Sequence, residues 1–174
     1  MAMFAALTTV LGIFPPIQLP AIGVPITAQT LGPMLAGSIL GARRGALSMV
    51  LFVVLVSVGL PLLSGGRGGF GVFFGPSGGY LLGWIFCAAV VGWLVERFWL
   101  RLNFAIAFVA ICTGGIGIIY LIGIPWNAAV SHLPVGVVAL GSTPFLIGDI
   151  IKATIAAGVT LSVRRSYPLI SAKS

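Results

Sequence analysis

Charge is nearly absent from this chain. Nine Lys or Arg and two Asp or Glu occur among 174 residues, 6% of the total, against the roughly 25% usual in soluble domains. A water-facing surface cannot be assembled from what remains, because hydrophobic residues make up 59% of the sequence and the mean hydropathy is +1.21. That excludes a soluble globular domain. It also excludes a disordered chain, which needs low hydrophobicity and high charge, and the 25 Gly and 11 Pro follow no three-residue collagen period. The class left is an all-α integral membrane protein, each helix satisfying its own backbone polar groups in lipid.

Length then limits the spans. A helix crossing a ~30 Å hydrocarbon core needs about 20 apolar residues, so six helices use roughly 120 and leave short loops. This predicts a single six-helix transmembrane domain over residues 1–174, with no second soluble domain. The first apolar run, Met1 to Phe14, has no basic residue ahead of it and so lacks the n-region of a signal peptide. It reads as a short first helix that enters the membrane obliquely or is preceded by a few further residues. Pro15, Pro16, Pro20 and Pro25 break the chain as far as Thr27. Helix two is expected from Gln29 to Leu40, tolerating Pro33 as membrane helices can. Gly41 to Gly45, with Arg43 and Arg44, marks an interface, and helix three follows from Ala46 to Leu60. Pro61 to Gly79 holds eight Gly and two Pro in nineteen residues, which predicts a loop. Helix four is expected from Tyr80 to Val95, a charged turn from Glu96 to Asn103, and helix five from Phe104 to about Gly123. Pro125 to Pro144, with Trp126, His132 and Pro134, reads as a broken stretch, and helix six as Phe145 to Arg165.

In this six-helix arrangement Arg43, Arg44, Arg97, Arg101, Arg164, Arg165 and Lys173 all fall on one side, and only Arg67 on the other. Lys and Arg accumulate on the cytoplasmic side, so both termini are expected inside. The same segregation accounts for the net charge of +7 without nucleic acid. Cys87 and Cys112 sit in separate apolar runs and read as buried hydrophobes, with no metal or disulfide pattern. His132 is solitary and reads as a loop residue. No paired carboxylates or Ser/His/Asp set occurs, so catalysis is not expected. Gly66-Arg67-Gly68-Gly69-Phe70-Gly71 matches G-x-G-x-x-G but lies between membrane spans, outside any βαβ unit, and is discarded. No G-x-x-x-x-G-K-[ST] occurs, so energy from ATP has to come from a partner.

Three charges are left over by topology. Asp149 and Lys152 lie within the last apolar run, three residues apart and hence on one helix face. They are read either as an internal ion pair or as a clamp in which Asp149 accepts from ligand N–H groups and Lys152 donates to a ligand oxygen. Arg67, between two glycine pairs, is read either as an exposed loop residue or as a carboxylate receptor beside exposed backbone N–H groups. Phe70, Phe73, Phe74, Tyr80 and Trp84 are candidate pocket walls, although aromatic belts at the membrane interface have the same composition. Small residues recur four apart at Ala2 and Ala6, Gly37 and Gly41, Gly75, Gly79 and Gly83, and Ala153 and Ala157, a spacing that permits close helix contact in lipid.

Five segments together resemble the BioY family, the biotin-binding S components of energy-coupling factor (ECF) transporters. They are Val24 to Gly32, which includes Gln29; Met34 to Gly45; Gly65-Gly66-Arg67-Gly68-Gly69; Gly75-Pro76-Ser77-Gly78-Gly79-Tyr80; and Gly148-Asp149-Ile150-Ile151-Lys152-Ala153. The resemblance covers essentially the whole chain, with an amino terminus shorter than the family pattern. It implies the six-helix ECF S-component fold in a prokaryotic cell membrane, taking biotin from outside as a transported ligand with no cofactor. It implies that Asp149 and Lys152 hold the ureido ring and Arg67 the valerate carboxylate, with Tyr80 and Gln29 also in the substrate site. Ala2 and Ala6 would dock onto a membrane T component driven by two cytoplasmic ATPases, with self-association left open. An S component for another vitamin, or a non-transporting membrane scaffold, are the alternatives.

Overall fold

The computed structural model describes residues 1–17, 23–166 and 170; Pro20 and Lys173 of the reading above lie outside them. It is built from helices: α1 (Ala2–Leu11), α2 (Leu31–Leu40), α3 (Ala42–Ser57), α4 (Gly78–Arg97), α5 (Phe104–Ser131), α6 (Val135–Gly141) and α7 (Thr143–Ser166). Short 3₁₀ turns occupy Phe70–Phe74 and Trp99–Arg101, and no strand beyond isolated bridges occurs among the described residues. Three helices, α4, α5 and α7, are long and apolar enough to cross a membrane.

The centre is held by α2 and α4. All of Gly32 to Ile39 is buried, as befits a helix that is apolar on every side. Ten residues span only about 15 Å, so α2 is a core element too short to cross a bilayer by itself. Pro33 is harmless because it lies in the first turn, where backbone N–H groups have no partner within the helix. A single residue, Gly41, at φ 85°, divides α2 from α3. The helix resumes at once because the Glu96 carboxylate accepts from the Ala42 N–H at 3.0 Å, an acid placed on a helix N-terminus. The interfacial turn expected over residues 41–45 is therefore one glycine, and Arg43 and Arg44 project from the first turn of α3, exposed.

The α2–α3 corner packs on Gly92 of α4, where a Cβ would overlap the backbone of Gly41 and Ala42. Gly92→Ala should therefore lower stability by about 1–3 kcal/mol, a lower midpoint of thermal unfolding in detergent. Gly158→Ala, with open space at that position inside a helix, serves as the control and should keep or raise the midpoint. Equal midpoints for the two variants would contradict this packing. Gly37 against the Ala88 carbonyl, Gly83 against Ile119, and fully buried Ala153 and Ala157 place these small residues in internal packing. Ala2 and Ala6 differ: both are exposed, on the side of α1 away from its buried Phe4, Ala5 and Thr8.

One expected break does not occur. Residues 125–131 continue α5 through Pro125, and residues 135–141 are the helix α6, so the stretch from Pro125 to Pro144 is mostly helical. Proline removes one backbone bond, which a membrane-type bundle tolerates where neighbouring elements hold the helix. Here the Trp126 indole N–H donates to the Gly75 carbonyl at 3.2 Å, and Gly79 sits directly beneath Trp126. The helix ends at His132, in the left-handed conformation at φ 54°, whose backbone N–H returns to Ala128. Earlier in α5 one π-helical segment, Thr113–Ile118, lets Gly114 and Gly115 approach α4 and Met34 closely.

Basic residues gather at one end of the bundle. Arg43 and Arg44 open α3 beside Glu96; Arg97 closes α4 and Arg101 the 3₁₀ turn after it; Arg164 donates to the Leu102 carbonyl and stacks 5.2 Å over Trp99. Arg67 contacts Ser77, ahead of α4, a helix length of about 30 Å from Arg97.

Candidate functional site

At the Arg67 end, the first half of α7 carries both remaining charges. Asp149 and Lys152 face the same side and pair, Nζ to Oδ1, at 2.7 Å. Asp149 is 3% exposed, so its charge is worth holding only with further hydrogen bonds. It has them. Tyr120 of α5 donates to Oδ2 at 2.7 Å, and Thr30, at the start of α2, to Oδ1 at 3.3 Å. Lys152 donates in addition to the Thr27 carbonyl at 2.9 Å and to Thr30 Oγ1 at 2.6 Å, so its three N–H donors each have an acceptor. The pair thus ties α7 to α5 and to the extended segment ahead of α2.

These groups line a cleft whose empty space, with the open solvent at its mouth included, is about 610 Å³. Its walls mix a few polar groups with Val24, Leu63, Leu81, Ile119 and Phe145. All five residues singled out as substrate contacts, Gln29, Arg67, Tyr80, Asp149 and Lys152, line it. They differ in what they have left to offer.

Arg67 is at the exposed mouth, its Nε donating to the Ser64 carbonyl at 3.3 Å and a terminal nitrogen reaching Ser77 Oγ at 3.5 Å. Partial burial lowers its pKa from the ordinary value, but an arginine keeps its charge at any physiological pH. The glycines beside it are required by backbone: Gly65, Gly66 and Gly69 have φ of 80°, 70° and 89°. The N–H groups of Gly66 and Arg67 bond to Leu63, and that of Gly69 to Val56. So the loop presents the guanidinium, while two of these N–H donors are engaged inside it and the third on α3.

Tyr80 stands on α4 with its hydroxyl 3.4 Å from Ser142 Oγ. Gln29 is 1% exposed, and its amide is fully engaged: Nε2 donates to the Thr8 and Leu62 carbonyls at 3.0 and 2.9 Å, and Oε1 accepts from Ser64 N and Oγ at 2.9 and 3.1 Å. It borders the cleft as a joint between α1, the glycine loop and α2. Trp84 lines the cleft one turn below Tyr80, whereas Phe70 and Phe74 are exposed and cluster together outside it. Thr30 and Tyr120 were not singled out from the sequence. Thr30 lies inside the segment from Val24 to Gly32, and Tyr120 is a lone hydroxyl-bearing ring in an apolar run, a signal that marks it. Among the described residues no group of His, Cys, Asp and Glu is arranged to hold a metal.

The arrangement places a carboxylate and an ammonium at depth in the cleft and a guanidinium at its mouth. Comparison with known proteins identifies relatives along the whole chain. A family model described as the BioY family matches residues 1–169. A protein of Rhizobium etli described as biotin transporter BioY is 46% identical over 99% of this chain and 95% of its own. One of Rhodobacter capsulatus with the same description is 43% identical over 95% of this chain and 92% of its own. A crystal structure of the S-component for biotin from an ECF-type ABC transporter superposes with a TM-score of 0.90 at 31% identity, covering 94% of this chain and 88% of that one.

Proposed function

The chain belongs to the BioY family, and from that membership we propose that it captures biotin for uptake as the S component of an ECF transporter. It is a transport protein and not an enzyme. The observation that carries the reading at the level of chemistry is the Asp149–Lys152 pair, a carboxylate and an ammonium side by side in one cleft. The ureido ring of biotin offers two N–H donors and one C=O, the complement of that pair. Because Lys152 has no spare donor, the ligand oxygen takes the place of one of its present acceptors, Thr27 or Thr30. Exchange of one hydrogen bond for another is close to neutral for the protein, whereas an analogue without the ureido group loses its own bonds to the pair and leaves Asp149 and Lys152 to each other. Tyr120 holds Asp149 in position, Tyr80 forms the wall above, and Arg67 at the mouth receives the valerate carboxylate. Gln29 acts through the loop it holds.

The bundle sits in a prokaryotic cell membrane with six membrane segments, α1 and α2 among them although each helix alone is too short to cross. Both termini lie on the cytoplasmic side, because the arginine-rich end faces inward. The cleft then opens outward. Exposed Ala2 and Ala6 make a small-residue face on α1 suited to a membrane T component, itself driven by two cytoplasmic ATPases. Native mass spectrometry of protein purified from biotin-containing medium tests the reading. One bound biotin per chain is expected, displaced by added deuterium-labelled biotin and not by thiamine or riboflavin. No small ligand, or displacement by either other vitamin, would overturn it.

A further inference from the structure

Among the described residues one buried side-chain polar atom has no hydrogen-bond partner: Nε1 of Trp84. The residue is 5% exposed, packs its ring at 5.8 Å against Phe52, and lines the cleft. Trp126, by contrast, uses its indole N–H on a backbone carbonyl. A buried N–H without an acceptor is costly and uncommon enough in native structures to need a reason, and in a cleft wall the reason is an acceptor on the ligand.

Position narrows which acceptor. The Tyr80 and Ser142 hydroxyls, 3.4 Å apart, bring α4 and the residue just ahead of α7 to one level beside the cleft. Trp84 is four residues beyond Tyr80, about 6 Å along α4, and Asp149 is seven beyond Ser142, about 10 Å along α7. Both therefore address the deep layer of the cleft, from different helices. Trp84 takes no part in the network of Asp149, Lys152, Thr30 and Tyr120, so it meets a different edge of whatever lies between. The head group of biotin has such an edge. Opposite the ureido group, the fused ring carries a thioether sulfur, a weak and neutral acceptor. A neutral, donor-only indole in an apolar wall matches that atom without desolvating another charge.

We propose that the Trp84 indole N–H donates to the ring sulfur of bound biotin, making Trp84 a specificity-determining residue for the thioether ring; this rests on the biotin reading above. The test uses protein labelled with ¹⁵N in its four tryptophan indoles, in nanodiscs. The Trp84 signal is assigned by Trp84→Phe and, independently, by eliminating the other three with single Phe substitutions. Biotin and its analogue with methylene in place of the ring sulfur are titrated in turn. The Trp84 indole proton should move downfield with biotin and much less with the analogue. Trp84→Phe should weaken biotin about fivefold, the worth of one neutral hydrogen bond, and leave the analogue within about twofold. A Trp84 signal unmoved by bound biotin, or equal weakening of both ligands, would overturn the proposal while leaving the biotin reading intact. Failure of the unaltered protein to bind biotin would overturn both.

Discussion

Asp149→Asn, and separately Lys152→Ala, should each lower biotin affinity at least tenfold, about 1.4 kcal/mol, measured by retention of radiolabelled biotin on the purified variants. Each substitution acts twice. It removes a ligand partner, and it leaves the other charge of a buried 2.7 Å pair uncompensated, which by itself costs about 3–5 kcal/mol. In Asp149→Asn the new amide also turns an N–H towards either the Lys152 ammonium or the Tyr120 hydroxyl, groups that now donate to the carboxylate. A loss of binding in the single variants would therefore follow equally from a pair that only held the helices together.

The double variant Asp149→Asn with Lys152→Met separates the two roles. Removing both charges relieves the uncompensated ion, so the thermal midpoint should return close to that of the unaltered protein. Biotin retention should stay lost, because neither carboxylate nor ammonium faces the ureido edge. Restored retention in the double variant would show that the pair is structural and that the ligand is held elsewhere in the cleft. The two measurements on one protein thus decide between readings that the sequence left open.

Legibility differed by the kind of signal. Arg67, Asp149 and Lys152 stood out because so few charges exist to explain, and all three line one cleft. Their partners did not stand out: Thr30 follows Thr27 and Gln29 ahead of α2, Tyr120 lies in an apolar run, and only the convergence of α2, α5 and α7 makes them neighbours of Asp149. Helix boundaries at charged turns were displaced for a related reason. Arg43 and Arg44 marked an interface, yet the capping carboxylate that lets α3 begin at Ala42 comes from Glu96, 54 positions away. Pro125 reads as a break in the sequence because Trp126 and Gly79, which pack that turn of α5 onto α4, meet only in the fold. The family motifs located Gln29 in the site but could not say whether its amide faced the ligand or the protein.

Gln29→Ala should lower stability by about 3 kcal/mol or more, placing it among the severe single substitutions. Four hydrogen bonds at a side chain that is 1% exposed would be lost together, stranding the Thr8 and Leu62 carbonyls and the Ser64 N–H inside the protein. Each stranded buried group costs about 1–3 kcal/mol, with partial relaxation keeping the sum below full additivity. Gln29→Glu offers little rescue, because a carboxylate can accept from Ser64 but cannot donate to either carbonyl. The damage should be visible before any ligand is added: amide exchange in α1 and in the loop from Leu62 to Arg67 should accelerate, and the thermal midpoint should fall in biotin-free protein. Biotin affinity should then drop as well, since that loop presents Arg67 at the mouth. A direct ligand contact would behave differently, sparing the biotin-free protein and changing only the bound state. Unchanged exchange and midpoint without biotin would therefore return Gln29 from the joint to the ligand.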